Sequence, residues 1–387
     1  MEQDAGNDRN TFPLEPESLN LEWLNAALEE GGLPRANAFE TEVIGVGEGL
    51  MGQLARIHLQ YPEGDAGPET IVAKFASAHE NTREMARAQG YYQRELGFFR
   101  DIGNDAGIPT ARCYFARERA DTNQFVLLLE DLAPARASDQ IEGTNAADSE
   151  WVIDTIAELH ARWWNSEKLA ALDWTTPLTN TMSAAEGKAM IEASIAQKEA
   201  SGSFDAYPEM KRLMHMLPPL FAMEPPAPSP FTLCHGDLRS DNLLVPCEAG
   251  GQRALIDWQL AGVGQPASDV ARWLTQSVTV EQRRATEQAL LKRYHDRLVE
   301  LGVRNYSYKA FLNDYKLNLV VLLLMFSMSM DDIDQSADRA GPLLDSMFRR
   351  LDAALVDWKV AQILQVLPYM IPFLKLRVWF SKHFRRT

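Results

Sequence analysis

The chain has 387 residues and a mass of 43.5 kDa, enough to bury a substantial core and to favour division into two lobes or domains. Hydrophobic residues make up 46% and charged residues 24%, as in ordinary soluble globular proteins. The formal net charge of −16 argues against nucleic-acid binding, which needs basic surface to release counterions. Three irregularly spaced cysteines exclude a disulfide framework and a CxxC metal site.

The start of the chain and its longest apolar run both indicate a cytoplasmic protein. The first residues are polar and acidic, unlike the basic start and apolar middle of a secretory signal. The run Leu317–Met330 covers about 14 residues and contains polar positions, which is short for a bilayer span. We therefore expect this run to form a buried helix and the cysteines to lie in a reducing compartment.

The first third of the chain predicts a small sheet-rich domain. Residues 1–16 are typical of a disordered polar leader, and the domain itself is expected over 17–132. Leucines at helical spacing predict a first helix, which two glycines end. Alternating apolar residues then predict three strands, a helix over 80–101 and a second hairpin. This order indicates an antiparallel sheet with one helix, followed by a linker at 130–134.

The remainder, residues 133–387, is almost wholly helical in pattern. Helices are predicted near 148–166, 184–199, 206–217, 280–301, 308–330 and 338–363. Short strands interrupt them around 231–258, where an apolar strand, a polar loop, a short strand, a turn and a returning strand follow one another. The predicted fold class is therefore α+β, with a small antiparallel-sheet lobe and a large, mainly helical lobe.

The polar hairpin around 231–258 concentrates the chemistry of the chain. Asp237 and Asn242 lie five residues apart on one loop, and Asp257 ends the returning strand. Carboxylate and amide oxygens suit Mg²⁺, and a further carboxylate can accept the proton of an attacking hydroxyl. The alternative is that these residues merely cap turns, as Asp and Asn often do.

A glycine-rich stretch between the first two predicted strands is a candidate phosphate-binding turn. Gly47, Gly49 and Gly52 would allow backbone amides to approach phosphate oxygens. Their spacing also fits a dinucleotide-binding fingerprint, but that motif needs a helix next, and an alternating strand pattern follows instead. A plain hairpin turn with spare glycines is the remaining alternative.

Lys74 lies within an apolar strand and needs an acidic partner there. Such a lysine can hold the α- and β-phosphates of a nucleotide when a helical carboxylate orients it. Glu95 is the predicted partner, because Phe98 and Phe99 would pack its helix onto the sheet, and Glu84 is the reserve. A solvent-exposed lysine at a strand edge is the alternative.

Taken together, these motifs resemble the aminoglycoside phosphotransferase and choline kinase group, most closely its ecdysteroid-kinase-like branch. The resemblance covers roughly residues 40 to 275 and rests on motifs in the order of that group. They are Gly47-x-Gly49-x-x-Gly52, Ile71-Val-Ala-Lys74, Glu95, Leu129-Glu130-Asp131-Leu132, His235-Gly-Asp237-x-x-x-x-Asn242 and Ile256-Asp257-Trp258.

The resemblance implies a bilobal protein-kinase-like fold and a role for each matching residue. Asp237 would be the catalytic base, and Asn242 and Asp257 would be Mg²⁺ ligands. Lys74 and Glu95 would hold the phosphates of ATP beside the glycine turn. The adenine would bind main-chain groups of the linker at Glu130 and Leu132. His160 and Asp269 resemble structural residues of the group, and His235 resembles a scaffold for its loop.

The resemblance implies an ATP- and Mg²⁺-dependent phosphotransferase that acts on a hydroxyl of an aminoglycoside-, choline- or steroid-like small molecule. Asp257 is followed within a dozen residues by Asp269 and a helix, which leaves little platform for a peptide substrate. A catalytically inactive nucleotide-binding protein is the alternative. The basic, aromatic segment 373–386 further suggests weak contact with a membrane surface, unless it packs on the acidic body of the protein.

Overall fold

The computed structural model describes residues 12–45, 52–119, 123–175, 183–222, 230–247, 251–329 and 339–366. The chain divides into two compact units. The first contains the residues up to Arg136 together with Asp173–Thr175 and Leu244–Ala261, and the second contains the rest. The sequence places the boundary at 132/133 instead, and it does not foresee that the two later segments join the first unit.

The first unit is built on a five-stranded antiparallel sheet. Its strands are β1 (Ala38–Ile44), β2 (Gly52–Gln60), β3 (Thr70–Ala76), β4 (Cys113–Arg119) and β5 (Gln124–Glu130), in the spatial order β1-β2-β3-β5-β4. Its helices are α1 (Leu21–Glu30), α2 (Glu80–Ala88) and α3 (Tyr91–Asp101). The α+β fold class predicted from the sequence is confirmed.

The two faces of this sheet carry different kinds of side chain. In β3, the side chains of Ile71, Ala73 and Phe75 are fully buried and pack in one core with Trp23 and Leu28 of α1. Successive side chains of a strand point to opposite faces. Lys74 therefore lies on the face opposite that core, where a charged group can meet a ligand.

The single helix predicted over 80–101 is wrong, because the structure has two helices there. Gly90 has a φ of 70°, a left-handed conformation that a residue without Cβ adopts readily. The chain turns at this residue between α2 and α3. As a result α3 is a separate helix, and most of its residues from Tyr92 to Phe99 are buried.

The segment Leu244–Ala261 adds a strand pair and an aromatic anchor to the first unit. Strands β8 (Leu243–Val245) and β9 (Ala254–Leu255) pair in a small sheet, after the short strand β6 (Arg136–Ala137) at the unit boundary. Leu255 also forms a bridge with Thr110, whose hydroxyl accepts a hydrogen bond from the Trp258 indole at 2.9 Å. These contacts fix the residues that flank Asp257.

The second unit is mainly helical. Its helices are α4 (Ala146–Arg162), α5 (Glu167–Ala170), α6 (Ala184–Ser201), α7 (Pro208–Met214), α8 (Ala267–Gln276), α9 (Val280–Glu300), α10 (Tyr308–Ser329) and α11 (Ala340–Asp357). Strands β7 (Thr232–Cys234) and β10 (Gly262–Gly264) pair antiparallel beneath the polar loop. The helix predicted over 338–363 is interrupted after Asp357, where Lys359 has a φ of 52°, and a further helical stretch covers residues 360–366.

Helix α10 contains the long apolar run noted in the sequence. By length and composition, Tyr308–Met328 is long and apolar enough to cross a membrane, but half of its most apolar window is buried in the structure. Leu319 and Leu323 are fully buried, whereas Val321 is 47% exposed. The run is thus a partly buried helix of the second unit, in line with the expectation from its length.

Two predicted segments lie partly or wholly outside the described residues. Of the predicted leader 1–16, residues from 12 on are described, and both Pro13 and Pro16 are buried. The last residues of the predicted leader, 12–16, are therefore part of the described structure. The basic segment 373–386 lies entirely outside the described residues.

Candidate active site

The first unit brings Lys74, Glu95 and Asp257 together. The ammonium group of Lys74 donates a hydrogen bond to Oε1 of Glu95 at 2.6 Å. The same nitrogen lies 3.6 Å from Oδ1 of Asp257. Glu95, the predicted partner, is only 2% exposed, whereas the reserve Glu84 is exposed on α2. Lys74 thus serves as a bridge between two acids.

The charge of Lys74 is stabilised by these neighbours. Burial disfavours the protonated amine, but the nearby carboxylates of Glu95 and Asp257 outweigh that effect and raise the pKa of Lys74 well above its ordinary value. The lysine therefore remains a cation at every physiological pH. A buried cation of this kind suits the oxygens of a nucleotide phosphate.

One face of α3 places Asp257 beside Lys74. Phe98 stacks on Trp258 with a centroid separation of 3.9 Å and an interplanar angle of 6°. Arg94 donates a hydrogen bond to the carbonyl of Ala261 at 3.1 Å. Glu95 lies between these two anchors on the helix. The helix that orients Lys74 therefore also holds the chain that follows Asp257.

Asp257 combines a left-handed backbone conformation with a buried carboxylate oxygen. Its φ is 66°, a left-handed conformation that costs a residue with a side chain of order 1 kcal/mol or more. Its Oδ1 is buried and lacks a hydrogen-bond donor among the described residues. A buried carboxylate oxygen without a donor is the kind of atom that a hard cation such as Mg²⁺ binds. The donor chemistry at Asp257 thus fits the predicted metal.

Of the glycine turn, only Gly52 is described; Gly47 and Gly49 lie outside the described residues. A Cβ built on Gly52 would lie 2.6 Å from the carbonyl oxygen of Phe75 and 3.5 Å from Cε of Lys74. Contacts below 3.0 Å are sterically prohibitive. The start of β2 therefore needs glycine to pass this close to β3 and to the lysine.

The predicted nucleotide-binding linker begins at the end of β5. The backbone of Glu130 pairs with Arg112, and its carboxylate accepts a hydrogen bond from the Arg112 amide at 3.1 Å. Leu132 is half-buried, and its carbonyl accepts a hydrogen bond from the amide of Ala135 at 3.0 Å. Between them, Asp131 accepts a hydrogen bond from Arg56 of β2 at 2.6 Å. The sequence motif does not reveal this ion pair, which ties the linker to the sheet.

The second unit contains Asp237 and Asn242 on the loop between β7 and β8. Nδ2 of Asn242 donates to the carbonyl oxygen of Asp237 at 2.8 Å and to its Oδ2 at 3.1 Å. Both residues are buried. The five-residue spacing thus allows Asn242 to hydrogen-bond to Asp237 within the same loop. The amide oxygen of Asn242 is then the atom that can ligate a metal.

Two arginines that no motif pointed to also hold Asp237. Arg272 of α8 donates to Oδ1 of Asp237, and Arg239 of the loop donates to Oδ2 at 3.2 Å. Burial alone would raise the pKa of Asp237, but the guanidinium of Arg272, followed by that of Arg239, lowers it well below its ordinary value. Asp237 is therefore an anion throughout the physiological range.

The backbone of the loop is fixed by Asp269 at the start of α8. Its carboxylate accepts hydrogen bonds from the amides of His235 at 2.7 Å and Gly236 at 2.9 Å. His160, on α4, lies 3.2 Å from Oδ2 of Asp269 and 2.6 Å from the hydroxyl of Tyr294. Burial opposes ionisation of Asp269, but the hydrogen bond and electrostatic interaction with His160, together with His235 and the amide of Gly236, outweigh it and lower the pKa of the acid. His160 and Asp269 therefore support the loop as structural residues.

His160, Cys234 and Asp269 lie close enough to suggest a metal site, with ligand atoms within 4.8 Å of one another. The hydrogen bonds described above already occupy the carboxylate and the imidazole. Burial raises the pKa of the Cys234 thiol well above its ordinary value, whereas a metal needs the thiolate. We assign this cluster to the scaffold.

A buried polar layer supports the other side of the loop. The amide of Ser240 donates to Oε1 of Gln140 at 2.7 Å and to the hydroxyl of Ser277 at 2.9 Å. Arg350 of α11 donates to the carbonyls of Gln140 at 2.7 Å and Ile141 at 2.8 Å. These residues are far apart in sequence and carry no local pattern, which explains why sequence reasoning missed them.

These groups define a kinase-like class of protein: a lysine paired with a helical glutamate, a loop aspartate followed five positions later by an asparagine, and an acid before a tryptophan. Residues 46–308, well over half of the chain, match the model of the "Ecdysteroid kinase-like family". The chain therefore belongs to the ecdysteroid kinase-like family, a kinase-like phosphotransferase family. The resemblance noted in the sequence is confirmed.

Curated relatives match parts of the chain. An uncharacterized kinase-like protein of Caenorhabditis elegans is 26% identical over 215 residues, which cover 52% of this chain and 55% of that protein. The chain thus spans about half the length of this curated relative.

Solved structures similar to the chain share little of its sequence. A candidate aminoglycoside phosphotransferase of Ralstonia eutropha is 18% identical, with 89% of this chain and 98% of that chain covered and a TM-score of 0.49. An ethanolamine kinase of Plasmodium vivax is 12% identical, with 87% and 89% covered and a TM-score of 0.47. Because both TM-scores lie below 0.5, the family assignment rests on the sequence match.

Proposed function

We propose that the protein is an ATP- and Mg²⁺-dependent phosphotransferase that transfers the γ-phosphoryl group of ATP to a hydroxyl of a small molecule. The observation that carries this proposal is the buried Lys74–Glu95 pair with Asp257 beside it. A fixed cation next to a carboxylate oxygen without a donor suits a metal-bound phosphate chain. The membership of the chain in a kinase-like family supports the same reading.

The residues have distinct roles in this reaction. Lys74, oriented by Glu95, binds phosphate oxygens and offsets the charge that develops on them. Asp257 and Asn242 supply oxygen ligands to Mg²⁺, which would neutralise charge on the phosphates when bound. Main-chain groups at Glu130 and Leu132, and the glycine turn of Gly47, Gly49 and Gly52, are proposed for the adenine and the phosphates.

Asp237 acts on the acceptor. The O–H bond of the acceptor breaks and its proton passes to the carboxylate of Asp237. The acceptor oxygen bonds to the γ-phosphorus, and the bond from that phosphorus to the β–γ bridging oxygen breaks with its electron pair left on ADP. Because Asp237 is a weak base, its main contribution is to orient the hydroxyl and to take the proton late in the transfer.

The acceptor is expected to be a hydroxylated small molecule handled in the cytoplasm. The short connection between Asp257 and Asp269 contains β10 and the first residues of α8, which favours a small acceptor over a peptide. Contact of the basic segment 373–386 with a membrane surface stays a prediction. Flotation of full-length and truncated protein with vesicles rich in anionic lipid tests it, and equal flotation of both would refute it.

The test of the proposed function is ADP formation from ATP by the purified chain against a panel of aminoglycosides, amino alcohols and sterols. We expect turnover with at least one acceptor class, dependent on Mg²⁺ and inhibited by EDTA. Metal-dependent ATP binding without transfer to any acceptor would favour the inactive nucleotide-binding alternative. ATP binding that is unaffected by EDTA would contradict the metal assignment.

A further inference from the structure

Among the described residues, Arg272 is the one side chain from outside the loop that donates a hydrogen bond to Asp237. It lies on α8, three residues after Asp269, and its side chain is only 11% exposed. Its Nη2 donates to Oδ1 of Asp237, while its Nε is buried without a hydrogen-bond partner among the described residues. The guanidinium is thus directed to one carboxylate oxygen rather than satisfied by several acceptors.

The two oxygens of Asp237 are used unequally. Oδ2 accepts from Nε of Arg239 at 3.2 Å and from Nδ2 of Asn242 at 3.1 Å. Oδ1 accepts only from Arg272 among the described residues. Because each carboxylate oxygen has two lone pairs, Oδ1 keeps one for a further donor. The acceptor hydroxyl therefore has one natural site, and it lies next to Arg272.

One face of α8 controls both the backbone and the side chain of the loop. Residues three apart on a helix are neighbours on its surface. Asp269 binds the amides of His235 and Gly236, which immediately precede Asp237, and Arg272 binds the Asp237 carboxylate itself. The direction in which Oδ1 points is thus set by a rigid helix and not by the loop alone.

We propose that Arg272 is a positioning residue for phosphoryl transfer, which fixes Oδ1 of Asp237 and places positive charge beside the acceptor oxygen. This role rests on the proposed function, since it assumes that Asp237 accepts the proton of the hydroxyl. As that proton moves to Oδ1, negative charge grows on the acceptor oxygen, and the adjacent guanidinium stabilises it. Arg272 acts through its hydrogen bond to Asp237 and through its charge, and it forms and breaks no covalent bond.

Three arginine variants separate this role from a purely structural one. Arg272→Met removes the charge and the hydrogen-bonding guanidinium group. Arg272→Lys keeps the charge on a shorter side chain. Arg349→Met, on the exposed face of α11 where Arg349 pairs with Asp345, is the matched control. All are assayed for kcat and for the KM of ATP with the best acceptor of the panel, or with water as acceptor, and their melting temperatures are recorded.

We expect Arg272→Met to lower kcat by about 30- to 100-fold, the loss typical of a misdirected catalytic group, with the KM of ATP changed by less than about threefold. Arg272→Lys should recover about tenfold of that loss, because the charge beside the acceptor oxygen returns. Arg349→Met should match the wild type. Equal kcat in wild type and Arg272→Met, equal losses in the Met and Lys variants, or a KM effect as large as the kcat effect would each overturn the proposal.

Assaying Asp237→Asn in parallel distinguishes a failure of the proposed function from a failure of the positioning role. If the wild type shows no turnover that depends on Asp237, the proposed function fails, and the positioning role fails with it. If turnover depends on Asp237 but not on Arg272, only the positioning role fails. Should Arg272→Met not fold, Arg272→Gln takes its place with the same expected loss, because its neutral amide lacks the charge.

Discussion

The charged clusters of the two units differ in how far their own residues satisfy one another. Among the described residues of the first unit, Oδ1 of Asp257 is buried and accepts no hydrogen bond, and Lys74 is shared between Asp257 and Glu95. In the second unit, Asp237 receives hydrogen bonds from Arg272, Arg239 and Asn242. We propose that the first cluster receives a ligand and that the second holds one carboxylate in place.

This difference predicts that substitutions in the two clusters affect different steps of the reaction. Metal binding would give the Asp257 oxygen a partner, and Lys74 would pair with phosphate oxygens, so substitutions in the first cluster should affect ligand affinity. Asp237 is already held by three groups, so substitutions around it should affect mainly the chemical step. Substitutions in the two units therefore test whether binding and chemistry depend on different clusters.

The largest effect is expected from Asp237→Asn. The amide keeps the size of the side chain but cannot take the proton of the acceptor, so kcat should fall by about 10²–10⁴-fold. The affinity for Mg·ATP should stay within a few-fold of the wild type, as judged by calorimetry. Asp296→Asn, at an exposed ion pair of α9, is the control and should be fully active. Unchanged ADP formation by Asp237→Asn would remove the aspartate from the mechanism.

Lys74→Met should show the opposite pattern, with a loss of nucleotide affinity. It also leaves Glu95 buried without its partner, which should cost about 3–5 kcal/mol in the free energy of unfolding. The double variant Lys74→Met/Glu95→Gln should recover part of that stability, because no uncompensated charge remains. Chemical denaturation and ATP binding measure both effects, with the exposed Lys188→Met of α6 as control. An unchanged ATP affinity would contradict the role of Lys74.

Asp269→Asn tests the support of the Asp237 loop. The substitution removes the charge-assisted hydrogen bonds from the amides of His235 and Gly236. This should lower the free energy of unfolding by about 2–3 kcal/mol at pH 7. The pKa of Asp269 is lowered in the folded protein, so its contribution is present above about pH 4, the ordinary range of the acid, and is lost as the pH falls through the folded value.

The pH dependence of the stability of Asp269→Asn tests whether this carboxylate stabilises the folded protein as an anion. Between pH 5 and pH 3 the wild type should lose more stability than Asp269→Asn, because the wild type alone has this carboxylate to protonate. Parallel loss in both proteins, measured by denaturant unfolding at each pH, would mean that Asp269 does not stabilise the folded state as an anion.

Gly52→Ala should have the smallest effect of the series. The added Cβ would meet the Phe75 carbonyl at 2.6 Å, so β2 must shift, at a cost of about 1–3 kcal/mol. ATP affinity should fall modestly, since Lys74 lies beside this glycine. Gly341→Ala in α11 has open space around it and should be neutral or slightly stabilising in the same thermal melts. Equal melting temperatures for the two variants would show that the close approach at Gly52 is not needed.

Sequence reasoning predicted the parts of the molecule that depend on local pattern. The antiparallel sheet, the helical second half and the partnership of Lys74 with Glu95 follow from alternation, periodicity and apolar flanks. The break at Gly90 was missed because helical periodicity continues across it, although the left-handed backbone needs only that one glycine. Local pattern thus indicates elements better than their interruptions.

Long-range contacts were beyond the reach of the sequence. The association of Asp257 with Lys74 depends on Phe98 stacking on Trp258, two residues separated by 160 positions. Arg272 lies on a helix without any motif of its own, and its contact with Asp237 becomes visible only when α8 is placed beside the loop. Motifs predicted which residues carry chemistry, whereas the hydrogen bonds that hold those residues became visible only in the folded structure.

The account is tested most directly by phosphorus NMR of Mg·ATP incubated with the wild-type protein and pooled alcohols. It predicts a new phosphomonoester resonance that grows in step with ADP and is absent with Asp237→Asn or after addition of EDTA. Bound, unhydrolysed ATP with every pool, or a phosphomonoester formed equally by the Asp237→Asn protein, would contradict it.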